Sequence, residues 1–449
     1  MPLTTDEPVA DATLVAPNRA GGLPDAEVVA PAPRLWRQPD FAAFWAADTI
    51  SQIGSQISAV ALPLIAAIVL DASPMAVGVL AAATWLPYLL FGLVAGVWVD
   101  RLRRRPLLIA ADLARAATLA VVPIAAARGA LDVKTLIGVA LVEGSLSVIF
   151  DVAYLAYLPG LVGRQHLIEA NGKLEASASA AQIVGPGLAG TLIGFAGAPF
   201  AVLADAASFV VSALCLGRIR APEAEPAPAA ARPGFRAEIG VGLRTVVASP
   251  ILRALAASSA TVSLAGFMFL AIYILYMARD LGLGADAIGF VLAAGGVGAL
   301  LGALLAEPLR RRIGVGPAIL LGMFAFGATG MFVPFAVLAP RIALPLVVAS
   351  EFLQWLAIVM HDVNAVSLRQ GIVPDRMLGR VNGTMKFVSW GLRPAGSLLG
   401  GLLGGVIGLA GTLVVAEFGM FLAFAWYVLS PIPRLRDIPP LAGAGEPAA

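Results

Sequence analysis

The sequence is poor in the residues that build most soluble active sites. Its 449 residues include one cysteine, Cys215, so no internal disulfide can form. The two histidines, His166 and His361, stand far apart with no cysteine cluster near either, which gives no metal-ligand spacing. No phosphate-binding glycine loop and no nucleophile constellation occurs. Enzymatic activity therefore has no motif to rest on, no cofactor is expected, and any work the chain does would draw on an ion gradient. Charged residues make up only 13%, and the net charge is +2. That balance is too small, and too sorted by position, to form a nucleic-acid-binding face.

What the chain has instead is long apolar runs. Hydrophobic residues reach 59%, with a mean hydropathy of +0.89, outside the range of soluble domains. The stretch GVWVDRLRRRP, Gly96 to Pro106, separates two runs, roughly Met75 to Val99 and Pro106 to Ala127. Each has the ~20 residues that cross a bilayer core. A turn as rich in arginine as this one (Arg101, Arg103, Arg104, Arg105) is held on the cytoplasmic side. Ten further spans are expected, including Phe41 to Val69, Val133 to Leu158, a fifth around VGPGLAG, and Phe200 to Leu216. Six more follow at about Ile251 to Ala278, Ile288 to Ala306, Gly316 to Leu338, Ala343 to Gln370, Met377 to Leu403 and Leu409 to Leu429. The fold class is thus all-α and membrane-integral, with twelve transmembrane helices.

Of the 30 Lys and Arg, only Arg128, Lys134, Arg279 and Arg341 fall in the expected outside loops, so both termini are expected in the cytoplasm. The chain divides into an acidic, proline-rich tail expected to be disordered (1–34) and a six-helix half (35–217). A cytoplasmic linker (218–250) contains FRAEIGVGLRTVV, which has the pattern of an interfacial helix. A second six-helix half (251–431) and a short tail (432–449) complete it.

The two halves repeat each other at a constant offset. Gly78 pairs with Gly289 (289 − 78 = 211), and the same offset relates Pro106 to Pro317, Asp151 to Asp362, Asn171 to Asn382, Gly185 to Gly396 and Gly190 to Gly401. No gap is needed from the second span to the fifth. Six spans per half is even, so both halves enter from one side, as in a parallel repeat about an axis along the membrane normal.

Polar residues form stripes on several spans. The first span aligns Asp48, Ser51, Gln52 and Ser55. The fourth aligns Glu143, Ser147, Phe150, Tyr154 and Tyr157, with Asp151 at its edge. The tenth aligns Glu351, Trp355, Ile358 and Asp362, with His361 beside them. An ionised acid at mid-membrane costs about 2.5–3.5 kcal/mol. Protonation removes most of that cost, so Asp362, Glu351, Asp48, Glu143, Asp151 and His361 are candidates for proton coupling. Each could equally be neutral or paired and stitch helices together. Gln52, Phe150, Tyr154, Tyr157, Tyr273 and Trp355 are candidates to line a substrate cavity, against the plain alternative of packing.

Gly96, Asp100, Arg101, Arg104 and Arg105 match the loop between helices 2 and 3 of the major facilitator superfamily of secondary transporters, which the sequence resembles over its whole length. Arg103 stands where that pattern has glycine. Gly185, Pro186 and Gly190 resemble the antiporter motif in the fifth helix of exporting members, with Ala189 replacing one of its glycines. FWAADTISQIGSQISAVALPL and HLIEANG are most similar to the bacterial twelve-span drug and siderophore exporters, the branch that includes macrolide efflux proteins.

The resemblance implies the major facilitator fold, two six-helix pseudo-repeats that rock to expose a central cavity lined by helices 1, 4, 7 and 10 to alternate sides. It implies proton-coupled efflux of a hydrophobic or amphipathic small molecule, with a gate at the Asp100 loop. The expected partners are that small molecule, protons and the lipid bilayer, with no nucleic acid, and the chain is expected to act as a monomer in the inner membrane. A proton-coupled importer would use the same fold. A non-transporting receptor or scaffold would not need acids on three cavity helices.

Overall fold

The computed structural model describes residues 35–99, 101–223 and 235–439, with backbone alone at 93–97, 164, 235–239, 241, 375 and 376. The tail at 1–34, Asp100, the proline-rich part of the linker at 224–234 and the final residues from 440 lie outside the described residues.

The described chain is helical throughout, with no strand. In the first half, α1 (Pro39–Leu64) runs into a π-helical turn (Ile65–Val69), followed by α2 (Pro74–Val99), α3 (Arg104–Ala127), α4 (Val133–Val162), α5 (Leu167–Ala196) and α6 (Ala198–Arg218). A linker helix α7 (Phe235–Ala248) leads to the second half: α8 (Pro250–Arg279), α9 (Ala285–Ile313), α10 (Val315–Gly330), the single turn α11 (Phe332–Phe335), α12 (Ala343–Ile372), α13 (Asp375–Val406) and α14 (Leu409–Val428). Eleven of these segments are long and apolar enough to cross a membrane. The twelfth long helix, α13, is diluted by glycines and by Lys386 and Arg393, yet it packs among the others, against α2 and α8.

The sequence repeat reappears in where helices begin. Pro39 and Pro250, Pro74 and Ala285, Arg104 and Val315, and Ala198 and Leu409 open equivalent helices at the offset noted above. Packing within the halves repeats as well: α1 lies on α5 and α6, as α8 lies on α13 and α14, and α2 lies on α4 as α9 lies on α12. Between halves, the extensive contacts are α2 with α13 and α5 with α9, which the repeat makes equivalent.

Local chemistry explains the boundaries. Asp132 caps α4, accepting from the Thr135 N–H at 2.8 Å and its hydroxyl at 2.6 Å, and these bonds hold the Asp132 carboxyl below its ordinary range. The turn before α10 uses Gly314 at φ +94°, whereas its counterpart before α3 is Arg103 at φ −68° and ψ 125°. The arginine in place of the motif's glycine therefore goes with an extended residue rather than a left-handed one. The expected single helix from Gly316 to Leu338 breaks after Gly330, near Pro334, which has no amide hydrogen to continue it. Tyr276 hydroxyl donates to the Val333 carbonyl there at 2.9 Å.

The unpaired N–H groups that begin α3 and α10 are satisfied by segments that leave the last helix of each half. The Glu223 carboxylate accepts from the Arg104 and Arg105 amides. Leu435 and Arg436 carbonyls accept from the Gly316 and Val315 amides at 2.9 and 3.0 Å. The linker helix α7, expected at the membrane surface, rests Gly242 and the buried Val246 on its neighbours, with Gly242 against Arg380 and Thr384 of α13, and leaves Leu243 and Val247 exposed.

Candidate functional site

The two halves meet most closely on the side away from the chain ends. A Cβ on Gly190 of α5 would fall 3.2 Å from the Gly289 Cα of α9, and one on Gly289 would fall 2.6 Å from the Pro186 carbonyl. At the equivalent seam, a Cβ on Gly78 of α2 would fall 2.6 Å from the Gly401 Cα of α13. Nothing larger than glycine fits such backbone contact. Also on this side, Arg279 at the end of α8 donates to the Ala67 carbonyl at 2.9 Å and pairs with Asp71 at 2.6 Å.

Below these seams, toward the chain ends, Gly296 of α9 still packs on the Ile183 backbone of α5, and between α2 and the second half the contacts are Trp85 with Phe267, Tyr88 with Trp390 and Leu89 with Gly391. A cavity of about 530 Å³ then opens on the first half, lined by Asp48, Gln52, Tyr154, Asn171 and Glu175 among others. Among the described residues the halves are closed on the far side and parted on the side of the chain ends.

The acids divide by environment. Asp48 is buried in the cavity wall, and its Oδ2 has no hydrogen-bond partner. Asp151 faces the interior and accepts from the Tyr88 hydroxyl at 2.8 Å. Glu143 belongs to a network inside the first half: it accepts from Arg115 at 3.1 Å and Ser147 at 2.9 Å, while Arg115 also reaches Asp112 at 3.7 Å and lies over the Phe209 ring at 3.8 Å. Glu143 is thus paired within its own half.

In the second half, Glu351 is buried between two neutral donors, the Tyr273 hydroxyl at 2.8 Å and the Trp355 indole at 2.9 Å. Among the described residues no cation pairs with it. One residue apart on the chain, His361 is buried and Asp362 exposed. Their side chains meet at 3.0 Å through Nδ1, and His361 Nε2 lies 2.8 Å from the Tyr427 hydroxyl. Asp362, His361 and Tyr427 thus form a chain from an exposed carboxylate to a buried phenol. Glu351 and Asp362 are eleven residues apart, ~16 Å along the helix axis, so they serve different depths.

The aromatic candidates differ in exposure. Tyr273, Tyr157 and Phe150 are buried, Tyr273 by its bond to Glu351 and Tyr157 by packing on Phe44. Tyr154 lines the cavity with Gln52, and Trp355 is about half exposed. In the loop after α2, Arg105 donates to the Leu216 and Gly217 carbonyls at 2.9 and 2.6 Å, binding α3 to the end of α6 within one half. Arg101 is exposed. Gly96 lies in α2, and Asp100 is outside the described residues. Gly185 packs on Gln56 of α1, and Pro186 and Gly190 form the seam with α9.

Two site residues escaped the sequence reading. Glu417, fully buried on α14 against Gly330, has neither carboxylate oxygen hydrogen-bonded. It is the lone charge in its span, a signal that was available. Arg393 of α13 lies among rings of both halves, with its guanidinium 4.3 Å from Trp85, 4.7 Å from Phe267 and 4.9 Å from Trp390. Sequence shows only a single arginine there, not the rings that three helices bring to it.

Residues 30–442 match the family described as transmembrane secretion effector, a division of the major facilitator superfamily. The chain belongs to that family. It is 28% identical over 401 residues to the multidrug efflux pump Tap of Mycolicibacterium fortuitum, covering 86% of this chain and 93% of Tap. It is also 28% identical over 313 residues to the enterobactin exporter EntS of Salmonella typhimurium, covering 68% of this chain and 71% of EntS. Solved structures share the fold. A bacterial homologue of the iron transporter ferroportin in an inward-facing state superposes with a TM-score of 0.72 at 17% identity, over 87% of this chain and 98% of that one. The nucleoside transporter NupG gives 0.66 at 14% identity, over 88% and 99%. The chain is therefore a multi-pass membrane transporter of the major facilitator fold.

Proposed function

We propose that this transporter is a proton-coupled exporter that moves a hydrophobic or amphipathic small molecule, such as a drug, secondary metabolite or siderophore, out across the inner (cytoplasmic) membrane as protons enter. Export is supported by the similarity to Tap over nearly the full length of both chains. The observation that carries proton coupling is the seat of Glu351. Two neutral donors hold a buried carboxylate that no cation among the described residues pairs with, so the group can lose and regain a proton without breaking an ion pair. Glu417 adds a second buried acid on a neighbouring helix of the same half.

In this reading both termini and the linker are cytoplasmic, because the basic residues gather on their side. The parted side then faces the cytoplasm, where substrate enters. The units are the halves 35–217 and 251–431, joined by the linker 218–250 and flanked by tails at 1–34 and 432–449, and one copy suffices for transport. The halves rock about the glycine seams: protonation and substrate occupancy alternate, and each favours a different closure. The chemistry is translocation, with no bond made or broken in the substrate.

Expression in an efflux-deficient host, grown on a panel of amphipathic compounds, tests the reading. Export predicts raised tolerance to some compounds and lower intracellular accumulation, abolished by a protonophore. Raised accumulation and sensitisation instead would establish import.

A further inference from the structure

Arg393 lies about midway between the glycine seam and the parted side, on α13. Its guanidinium touches Trp85 of α2, Phe267 of α8 and Trp390 of α13. The Nε is buried without a hydrogen-bond acceptor. Among the described residues, no carboxylate forms an ion pair with it. Lys386, seven residues earlier on the same helix face, is exposed, and its ammonium lies 5.5 Å from the Trp390 ring. Among the described residues the acid facing this region is Asp151, which is hydrogen-bonded by Tyr88 rather than by either cation, though Lys386 is near enough for its charge to act on it.

Aromatic faces stabilise a guanidinium but do not neutralise it. An arginine at this depth without a counter-charge is costly to keep in an apolar span. Its five donors form a planar fork that matches an oxyanion, which rings cannot satisfy. A diffusible anion would satisfy the fork. The rings around the fork are equally suited to a flat apolar body beside that anion.

Resting on the exporter reading for the direction of movement only, we propose that Arg393, with Lys386 as a second cation, forms an anion-recognition site between the two halves. Its ligand class is aromatic or amphipathic molecules that carry an acidic group. Arg393 takes the acidic group by paired hydrogen bonds. Trp85 and Trp390 stack on the ring system. Because Trp85 comes from the first half and Arg393 and Trp390 from the second, the bound molecule bridges the two halves.

The test uses the purified full-length chain and three probes of matched shape: 2-naphthoate (anionic), 2-naphthamide (neutral) and 2-naphthylmethylammonium (cationic). Quenching of tryptophan fluorescence reports binding. The expected result is binding of naphthoate about tenfold or more tighter than naphthamide, with the cation weakest. Arg393→Gln should erase that preference, while Arg393→Lys, which keeps the charge but not the fork, should retain part of it. Gel filtration and thermal unfolding of each variant separate lost binding from lost folding, and should Arg393→Gln misfold, Lys386→Gln, expected to weaken naphthoate alone, gives the decisive comparison. Equal binding of naphthoate and naphthamide, or no detectable naphthoate binding by the wild-type chain, would overturn the proposal. Binding on purified protein does not depend on direction or coupling. A chain that prefers naphthoate yet imports its substrate would sink the exporter reading alone, and one that exports without charge preference would sink this inference alone.

Discussion

Gly190 of α5 and Gly289 of α9 lie backbone against backbone across the seam between the halves, and Gly78 with Gly401 makes the repeat-equivalent contact at the other seam. Four glycines that the sequence relates by one offset are thus a single device used twice. Their close approach explains why the glycine-proline segment of the fifth span carries a small residue at that position: a Cβ on Gly190 would fall 2.7 Å from the Ala285 carbonyl.

Gly289→Val should therefore hold the far side apart. Export is expected to fall about tenfold or more, with abundance in the membrane nearly unchanged, because the rest of α9 packs on α12 within its own half. An Ala293→Cys reporter in a Cys215→Ser background should label faster from outside in that variant. Wild-type export and unchanged labelling would show that the seam tolerates side chains and does not govern closure.

Asp71 and Arg279 close the same side by charge. Asp71 sits at φ +44° and its carboxylate is exposed where it meets the arginine. A D71C/R279C pair, again without Cys215, should be joined by a short cleavable bifunctional thiol reagent, because an arginine's reach exceeds that of a disulfide, and transport should stop and return on cleavage. Because the acid is solvent-exposed, Arg279→Gln alone should change the rate modestly, and high salt should mimic it. Failure of the cysteine pair to cross-link in membranes would contradict the closed far side.

Arg115 stands between Asp112 and Glu143 inside the first half. Removing one member of a buried ion network leaves an unpaired charge, at about 3–5 kcal/mol. Arg115→Leu should lower thermal stability and abundance sharply, whereas Arg115→Met with Glu143→Leu should recover much of the loss. If the single variant is as stable as the parent, Glu143 is not held by this pair and returns to the coupling candidates.

The repeat, the helix order and the polar stripes were legible because spans in a bilayer are dictated by length and apolarity, and a duplicated half keeps its offset. The stripe on the tenth span did place Glu351 and Trp355 on one face, one turn apart, where they hydrogen-bond. What lay beyond a helical wheel was depth and partnership. Tyr273 shares the wet face of nothing: it is buried because Glu351 reaches it from another helix. Glu143 shares a stripe with Tyr154, yet Arg115 claims it from α3. Arg393 is unremarkable in a helix diluted by glycine until rings from α2 and α8 surround it. Pairings across helices are set by the tertiary arrangement, which no single span encodes.

We propose that substrate moves out as protons move in, with Glu351 as a carrier. Glu351→Gln keeps an acceptor for the Trp355 indole and turns its amide N–H toward the Tyr273 hydroxyl, which can accept it, while removing the proton site. The chain, reconstituted in vesicles that enclose a pH-sensitive dye, would be given a compound found in the growth panel. The wild type should move protons against the substrate and accumulate substrate when a pH gradient is imposed, and Glu351→Gln should still bind it but lose about tenfold or more of the gradient-driven flux. Substrate transport by the wild type with no proton movement, and no response to the imposed gradient, would contradict the claim.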